Sequence, residues 1–252
     1  MDRSINTLSL PEAALEYAKQ GWQVLPLHNP VGDGRCSCGD LNCGSRAGKH
    51  PRNSGGVKKA SADLKVVEKW WQEWPNANIG IATGENSGFV VLDIDTKSNG
   101  PQSLGAMIRE YGELPQTLHV QTGSGGEHIL FQYPGDGITN RTGIRDGVDF
   151  KTQGGYIVAA PSVHASGNRY QWSVFDCGIA GMPAWLLSLL REKKASIVAG
   201  GTVEEGKIPA GQRNSTLFAL ACSLRKRGLV DKALYMALKV MNDTQCDPPL
   251  DE

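Results

Sequence analysis

Residues 88–95 read Gly-Phe-Val-Val-Leu-Asp-Ile-Asp. An apolar run rich in β-branched and aromatic side chains, opened by glycine, predicts a buried strand. Strand side chains alternate between faces, so Asp93 and Asp95 project to one side while Val90, Leu92 and Ile94 pack on the other. Two residues along a strand span roughly 6.5–7 Å, so two such carboxylates can close on one or two divalent cations between them. Oxygen-only ligation of this kind suits Mg²⁺ or Mn²⁺. Asp is depleted in strands and costly to bury unpaired, so two of them after an apolar run call for a reason. The plain alternative is a strand running out into the polar loop Thr96-Lys-Ser-Asn-Gly100.

Around this strand the chain alternates short helices and strands. Ser9-Leu-Pro-Glu12 fits a capping box, followed by a helix over 11–20 that Gly21 stops. A first strand is expected over 22–27. A helix over 61–74 carries the apolar stripe Leu64, Val67, Trp70, Trp71, Trp74, with Pro75 behind it. The runs 78–83 and 89–95, divided by Gly84-Glu-Asn-Ser-Gly88, suggest a hairpin. A helix over 102–111 follows, then strands over 117–121, 127–133, 148–151, 156–160 and 169–172, and an apolar helix over 182–192. The polar stretch 194–207 reads as a linker. Helices over 212–227 and 230–241 then meet at Gly228. The expected organisation is a large domain over 1–193, the linker, and a small helical domain over 208–252.

Between residues 29 and 56 large apolar side chains almost vanish, so this stretch cannot build a core and needs a staple. Three of the six cysteines, Cys36, Cys38 and Cys43, fall here, with His50 close behind. Clustered cysteines in a chain with no secretory leader pattern point to metal rather than disulfides. Three thiolates and an imidazole match a tetrahedral structural Zn²⁺ site over about residues 35–52. The C-x-C spacing departs from a standard finger, and a loop with incidental cysteines is the alternative. The flanks are basic (Arg35, Arg46, Lys49, Arg52, Lys58, Lys59), which suits a stiffened knob touching phosphates.

Lys plus Arg and Asp plus Glu each number 26, so any nucleic-acid binding must rest on local patches rather than on net charge. No apolar run approaches the roughly 20 residues of a membrane span. With no apolar segment after the first residues, a cytoplasmic chain with no membrane partner is expected.

Two further segments carry chemistry. Thr122-Gly-Ser-Gly-Gly-Glu-His128 lies between two strands. Its glycines allow close backbone approach, the N–H groups at Ser124, Gly125 and Gly126 suit an anion nest, and His128 is placed to reach a phosphate. Asp149 sits in a short apolar strand with Lys151 on its face by the same alternation. It offers a third carboxylate for a metal clamp, or a structural ion pair with Arg145 or Lys151. Gly201-Thr-Val-Glu-Glu-Gly-Lys-Ile208 nearly matches a phosphate-binding loop, but Ile208 replaces the metal-binding hydroxyl and Pro209 opposes the helix that should follow.

Taken together, the order of motifs is specific. Asp93-x-Asp95 after a strand, then Gly126-Glu-His128, then Val148-Asp149 resembles the archaeo-eukaryotic primase superfamily. Asn78-Ile-Gly-Ile-Ala-Thr-Gly84, Gly154-Gly-Tyr-Ile-Val-Ala-Ala-Pro-Ser162 and the cysteine insert ending Gly48-Lys-His-Pro51 look like the bifunctional primase–polymerase (prim-pol) domain of phage, plasmid and integrated-element replication proteins, over roughly residues 10–192. Ile208-Pro-Ala-Gly-Gln-Arg-Asn214 and the helices after it are similar to the helical primase C-terminal segment, which often precedes a helicase.

The resemblance implies an α+β fold: a mixed core with an RRM-like sheet and a second α/β unit, a zinc insert, and a small all-α C-terminal domain. It implies Asp93, Asp95 and Asp149 as ligands of catalytic Mg²⁺ or Mn²⁺. His128 would contact the incoming nucleotide with Ser124, Gly125, Gly126 and Lys151 around it, and Cys36, Cys38, Cys43 and His50 would hold Zn²⁺. The implied partners are single-stranded DNA template, dNTPs or NTPs, and a helicase region or partner downstream. The insert and Arg213, Arg225, Lys226 and Arg227 are candidates to grip the template. A metal-dependent nuclease would use the same carboxylates, and a non-catalytic zinc-stapled DNA-binding module would not need them. Tyr133, Phe150 and Tyr156 are candidates for a gate against the 2′-hydroxyl.

Overall fold

The computed structural model describes residues 3–32, 35–135, 137–191, 207–209, 213–226 and 228–250. It divides into two units, residues 1–193 and 194–252. Helix α1 (Leu10–Lys19) starts at Ser9, whose backbone N–H and hydroxyl both donate to Glu12 Oε2 at 2.9 and 2.6 Å. Strand β1 (Val24–Leu27) follows, then the two-residue strands β2 (Pro30–Val31) and β3 (Arg35–Cys36), which pair with each other in the insert. Helix α2 (Leu64–Glu73) begins at Asp63, whose carboxylate accepts from Lys65 N and Val66 N. Its Val67 and Trp71 face the core, and Trp71 Nε1 donates to Ala77 O at 3.1 Å.

Strand β4 (Asn78–Ala82) pairs with β1, while β5 (Phe89–Ile94) enters a different sheet. The expected hairpin between them is therefore absent; one bridge, Gly84 to Phe89, is all that joins them. Gly84 and Gly88, at φ 110° and 74°, turn the chain out of the plane of β4. Both strands are buried on both faces, although in β4 only the Ile79–Ile81 face is apolar and the other carries Asn78 and Gly80, so each finds cover on two sides rather than a solvent face.

After α3 (Gly100–Tyr111) come β6 (His119–Gln121), β7 (Glu127–Gln132), β8 (Arg141–Arg145), β9 (Val148–Lys151), β10 (Tyr156–Val158), β11 (Gln171–Val174) and α4 (Ala184–Arg191). Two antiparallel sheets result, ordered β1-β4-β10 and β11-β6-β7-β5-β9-β8. Strand β8 was not expected: it carries arginines at both ends and a glycine, and it lies at a sheet edge where polar residues are tolerated. One face of the larger sheet (Phe89, Val91, Val120, Leu130) shares a core with α1, α2 and the smaller sheet. Tyr17 stacks on Trp22 there at 5.5 Å, and the Tyr17 hydroxyl donates to Ala160 O and accepts from Trp172 Nε1. The other face (Val90, Leu92, Ile94, Ile129, Phe131, Phe150) packs on Met107 of α3 and on Leu186 and Leu190 of α4. Each such side chain, fully buried, contributes about 1.5–3 kcal/mol, so β5, covered on both faces, is the best-anchored strand of the sheet.

In the second unit β12 (Ile208–Pro209) pairs in parallel with β13 (Cys246–Asp247), beside α5 (Arg213–Lys226) and α6 (Asp231–Gln245). Of the expected linker 194–207, all but Lys207 lies outside the described residues, as does most of the rejected phosphate-loop motif. Arg213 donates to Pro248 O, and Arg225 pairs with Asp231 at 2.6 Å, so two of the three expected template-gripping arginines are engaged within this unit. Arg227 and the Lys226 side chain lie outside the described residues.

Candidate active site

Sheet register aligns three of the candidate residues. Asp93 on β5 lies directly opposite His128 on β7 and opposite Asp149 on β9, so three neighbouring strands each deliver one side chain to the same face. This is the face of Val91 and Leu130 continued to its polar end, with Lys151 opposite Val91. Like charges directly opposite across a strand pair repel. Lys151 offsets that repulsion: its Nζ lies 2.9 Å from Asp149 Oδ2 and 3.8 Å from Asp93 Oδ2. Gly143 N donates to Asp149 Oδ1 at 2.9 Å. The alternative partner, Arg145, instead contacts Glu110 and the Tyr111 hydroxyl.

Asp95 lies one residue past the end of β5. Its backbone N donates to Gly147 O at 2.8 Å, and its carbonyl accepts from Gly100 N at 2.9 Å. Gly147 has φ 69°, and a Cβ there would meet Ser98 O at 2.4 Å, so this knot accepts only glycine. The Asp95 carboxylate accepts from Lys97 N at 2.9 Å. All three carboxylates line a cavity of about 750 Å³, shared with His128, Lys151 and Lys49. That volume suits a nucleotide-sized ligand.

His128 is 6% exposed. Burial holds its imidazole below the ordinary range, against the opposing pull of Asp93. Nε2 stands 3.6 Å from Asp93 Oδ1, whereas Nδ1 is buried without a partner among the described residues. Placing the proton on Nε2 leaves Nδ1 as a bare lone pair rather than an unbonded N–H, so the donor faces the cavity. Tyr170, also on the cavity wall, has its hydroxyl pushed above the ordinary range by burial and then by Asp93.

The Gly-rich turn packs onto the end of β5: a Cβ on Gly126 would lie 2.2 Å from Ile94 O. Thr122 and Ser124 reach the cavity, their hydroxyls 3.0 Å apart. Gly125 and Gly126 do not line it, and the Gly125 N–H is already donated to Thr122 O at 2.9 Å. The expected nest is thus reduced to its Ser124 end. Of the three aromatics considered for a sugar gate, Tyr156 lines the cavity; Phe150 and Tyr133 pack with the core on the opposite face of the sheet.

In the insert, the ligand atoms of Cys36, Cys38, Cys43 and His50 lie within 4.8 Å of one another, the single such group of His, Cys or carboxylate ligands among the described residues. His50 Nε2 is 3.3 Å from both Cys36 Sγ and Cys43 Sγ. A tetrahedral site with metal–sulfur bonds of about 2.3 Å has edges near 4 Å, so the donor set fits such an ion. Burial raises the Cys36 thiol, but hydrogen bonds from Gly48 N and its cysteine neighbours outweigh it and bring the group below its ordinary value. Arg52, expected to face phosphates, turns inward to Asn29 Oδ1 and Ser37 Oγ, each at 2.7 Å. Asp93, Asp95 and Asp149 form no comparably closed cluster. They do supply three hard oxygen donors to one cavity, the donor chemistry that a magnesium-type cation takes together with water and phosphate.

Comparison with known families decides the class. The chain matches the family described as bifunctional DNA primase/polymerase, N-terminal, over residues 14–185. It belongs to that family. A second match, to primase C terminal 1 (PriCT-1), covers residues 202–252. No curated protein matches the chain. As a prim-pol family member the chain is a DNA primase/polymerase, a nucleotidyltransferase acting on nucleotides and a DNA template with divalent metal. No helix among the described residues is long and apolar enough to cross a membrane.

The sequence pointed to every residue of the aligned row. It did not single out Lys49, Tyr170 or Thr122 as cavity residues. Lys49 was visible as one of several basic neighbours of the cysteines and within Gly48-Lys-His-Pro51, but without a role, because its direction depends on how the insert seats against β4 and β10.

Proposed function

We propose that the chain synthesises primers de novo on single-stranded DNA and extends them, as a cytoplasmic replication enzyme of a phage, plasmid or integrated mobile element. The observation that carries this reading is the row Asp93–His128–Asp149 across three adjacent strands at one cavity. Asp93, Asp95 and Asp149 would hold two Mg²⁺ or Mn²⁺ ions. Bound there, the ions would lower the pKa of the attacking hydroxyl and offset charge on the departing pyrophosphate. The chain's own residues bind and orient. His128 offers its Nε2 proton to a phosphate oxygen, Ser124 supports the same group, and Lys151 moves from the carboxylates toward the phosphates as cations take its place. In this reading the six-stranded sheet with α3 is the RRM-like unit of archaeo-eukaryotic primases, and the β1-β4-β10 sheet with α1 and α2 is the second α/β unit. The Cys₃His cluster would carry a structural Zn²⁺, and a helicase region or partner would act downstream.

The test is incubation with single-stranded template, labelled nucleotides and Mn²⁺ or Mg²⁺, without primer. Wild type is expected to make short products, and Asp93→Ala/Asp95→Ala to fall by about 100-fold or more. Shortening of the template instead would favour phosphodiester cleavage. Equal single-strand binding with no product from either protein would sink the catalytic assignment.

A further inference from the structure

We propose that Lys49 is the cationic contact for the triphosphate of the incoming nucleotide, and that the Cys₃His cluster is the device that aims it. This deepens the nucleotidyl-transfer reading and rests on it.

Lys49 lines the cavity of Asp93, Asp95 and His128, although it belongs to the insert rather than to the catalytic sheet. Its side chain is half-buried. The two cavity lysines differ in their partners. Lys151 is paired to Asp149 and Asp93, whereas Lys49 makes no ion pair within 4.0 Å among the described residues. Asp93 and Asp95 attract its ammonium from beyond ion-pair distance, and a partly desolvated ammonium with no direct carboxylate contact gains further from an arriving anion. A wall of three carboxylates repels a triphosphate, so the cavity needs cationic groups free to meet it. Lys49 fits that need without breaking an existing pair.

The backbone around Lys49 is held at three consecutive residues. Gly48 N donates to Cys36 Sγ at 3.4 Å, and Gly48 O accepts from the fully buried Asn78 Nδ2 at 2.8 Å. Lys49 N donates to Arg46 O at 2.9 Å, and Lys49 O accepts from the Tyr156 hydroxyl at 3.0 Å. His50 O accepts from His28 N, while the His50 ring closes the cysteine cluster. Between two anchored neighbours, the Lys49 side chain alone is left to the cavity. The insert has little else to keep this arrangement, since its own buried cluster is Cys36, Cys43 and Ala47. Metal at the four ligands would therefore fix the ammonium's position as well as the loop's shape.

The test is equilibrium binding of dATP and of deoxyadenosine, with Mg²⁺ and without template, to the full zinc-loaded chain. Lys49→Gln is expected to weaken dATP by about tenfold and leave deoxyadenosine unchanged, with the same zinc content and melting temperature. Lys49→Arg should recover most of the loss. Tyr156→Phe leaves all four cluster ligands intact and removes the clamp on the Lys49 carbonyl, so it should cost dATP about threefold. Zinc removal should reproduce the Lys49→Gln loss and add little to it in the variant, as expected when two changes act through one contact.

Unchanged dATP binding in Lys49→Gln, or equal loss of dATP and deoxyadenosine, overturns the contact. Unchanged binding in Tyr156→Phe, or losses from zinc removal and Lys49→Gln that multiply, overturns the aiming role. A wild type that binds dATP in this Lys49-dependent way but makes no primer would remove the catalytic reading alone. Primer synthesis that survives Lys49→Gln with unaltered dATP affinity would remove this inference alone. A wild type that binds no dATP removes both.

Discussion

His164 lies outside the Asp93–His128–Asp149 row but is tied by hydrogen bonds to the Gly-rich loop beside it. It is 8% exposed, and its Nδ1 accepts from Ser166 N at 3.1 Å. Ser166 Oγ in turn donates to Gly123 O at 2.8 Å, joined there by Asn168 Nδ2 at 3.2 Å. Nδ1 also stands 2.9 Å from Ser166 Oγ, so protonating it would end the bond accepted from Ser166 N and turn Nδ1 into a donor toward that hydroxyl, rearranging the tie to the Gly-rich turn. Burial, with Lys49 and Lys97 adding to it, holds the imidazole below its ordinary 6.5. The unfolded chain therefore binds this proton more readily than the folded one. The stabilisation is present above about pH 6.5 and is lost as pH falls through the lowered folded value. Asn at this position keeps an acceptor oxygen but does not titrate. His164→Asn is thus expected to show a shallower fall in melting temperature from about pH 7 to about pH 5 than wild type. Parallel slopes for the two proteins would mean that His164 does not carry this pH dependence.

Among the elements, the insert depends most on something other than apolar burial. Its strands β2 and β3 are two residues each, and no large apolar side chain lies in its buried cluster. A short segment without a core needs a metal or a disulfide, and its cysteines are free. Chelation is therefore expected to abolish amide-exchange protection across roughly residues 28–52, while β5, β7 and β9 keep theirs. Cys43→Ser should lower bound zinc by about one ion per chain, as direct metal analysis would report. Protection lost uniformly over the sheets would instead make the cluster part of the main fold. This need for a staple was legible in the composition of residues 29–56, as were β5, β7 and β9 in their apolar runs. The partnering of strands was not. Asp93, His128 and Asp149 fall 35 and 56 positions from the first to the second and third, and only register puts them in one row. The β4–β5 hairpin expectation failed for the same reason, because two strands close in sequence and each buried on both faces found their cover in different sheets. Strand β8 was hidden because edge strands need no apolar pattern.

On the scale of the whole chain, two bodies carry separate packing. Residues 1–193 contain both faces of the six-stranded sheet, the smaller sheet and the candidate cavity. Residues 194–252 hold themselves by other means: β12 with β13, Asn242 bonded both ways to Leu250, and Arg225 with Asp231. The two family matches, 14–185 and 202–252, fall on either side of the same division. Exposed Phe218, Tyr235, Met236 and Val240 on α5 and α6 show that the second unit leaves much apolar surface uncovered among the described residues. Its helices are correspondingly expected to open before the sheets do. We therefore expect a chain ending at residue 193 to keep the main unfolding transition within about 2–4 °C of the full chain, a shift of roughly 1 kcal/mol for a domain of this size. Its dATP affinity should also be retained, since every proposed nucleotide contact lies before that residue. The full chain should show an additional, lower-temperature change in helical signal that the shortened chain lacks. A single shared transition that drops by much more than this on truncation would mean that the sheets draw stability from the C-terminal helices, and that the two bodies are one cooperative unit.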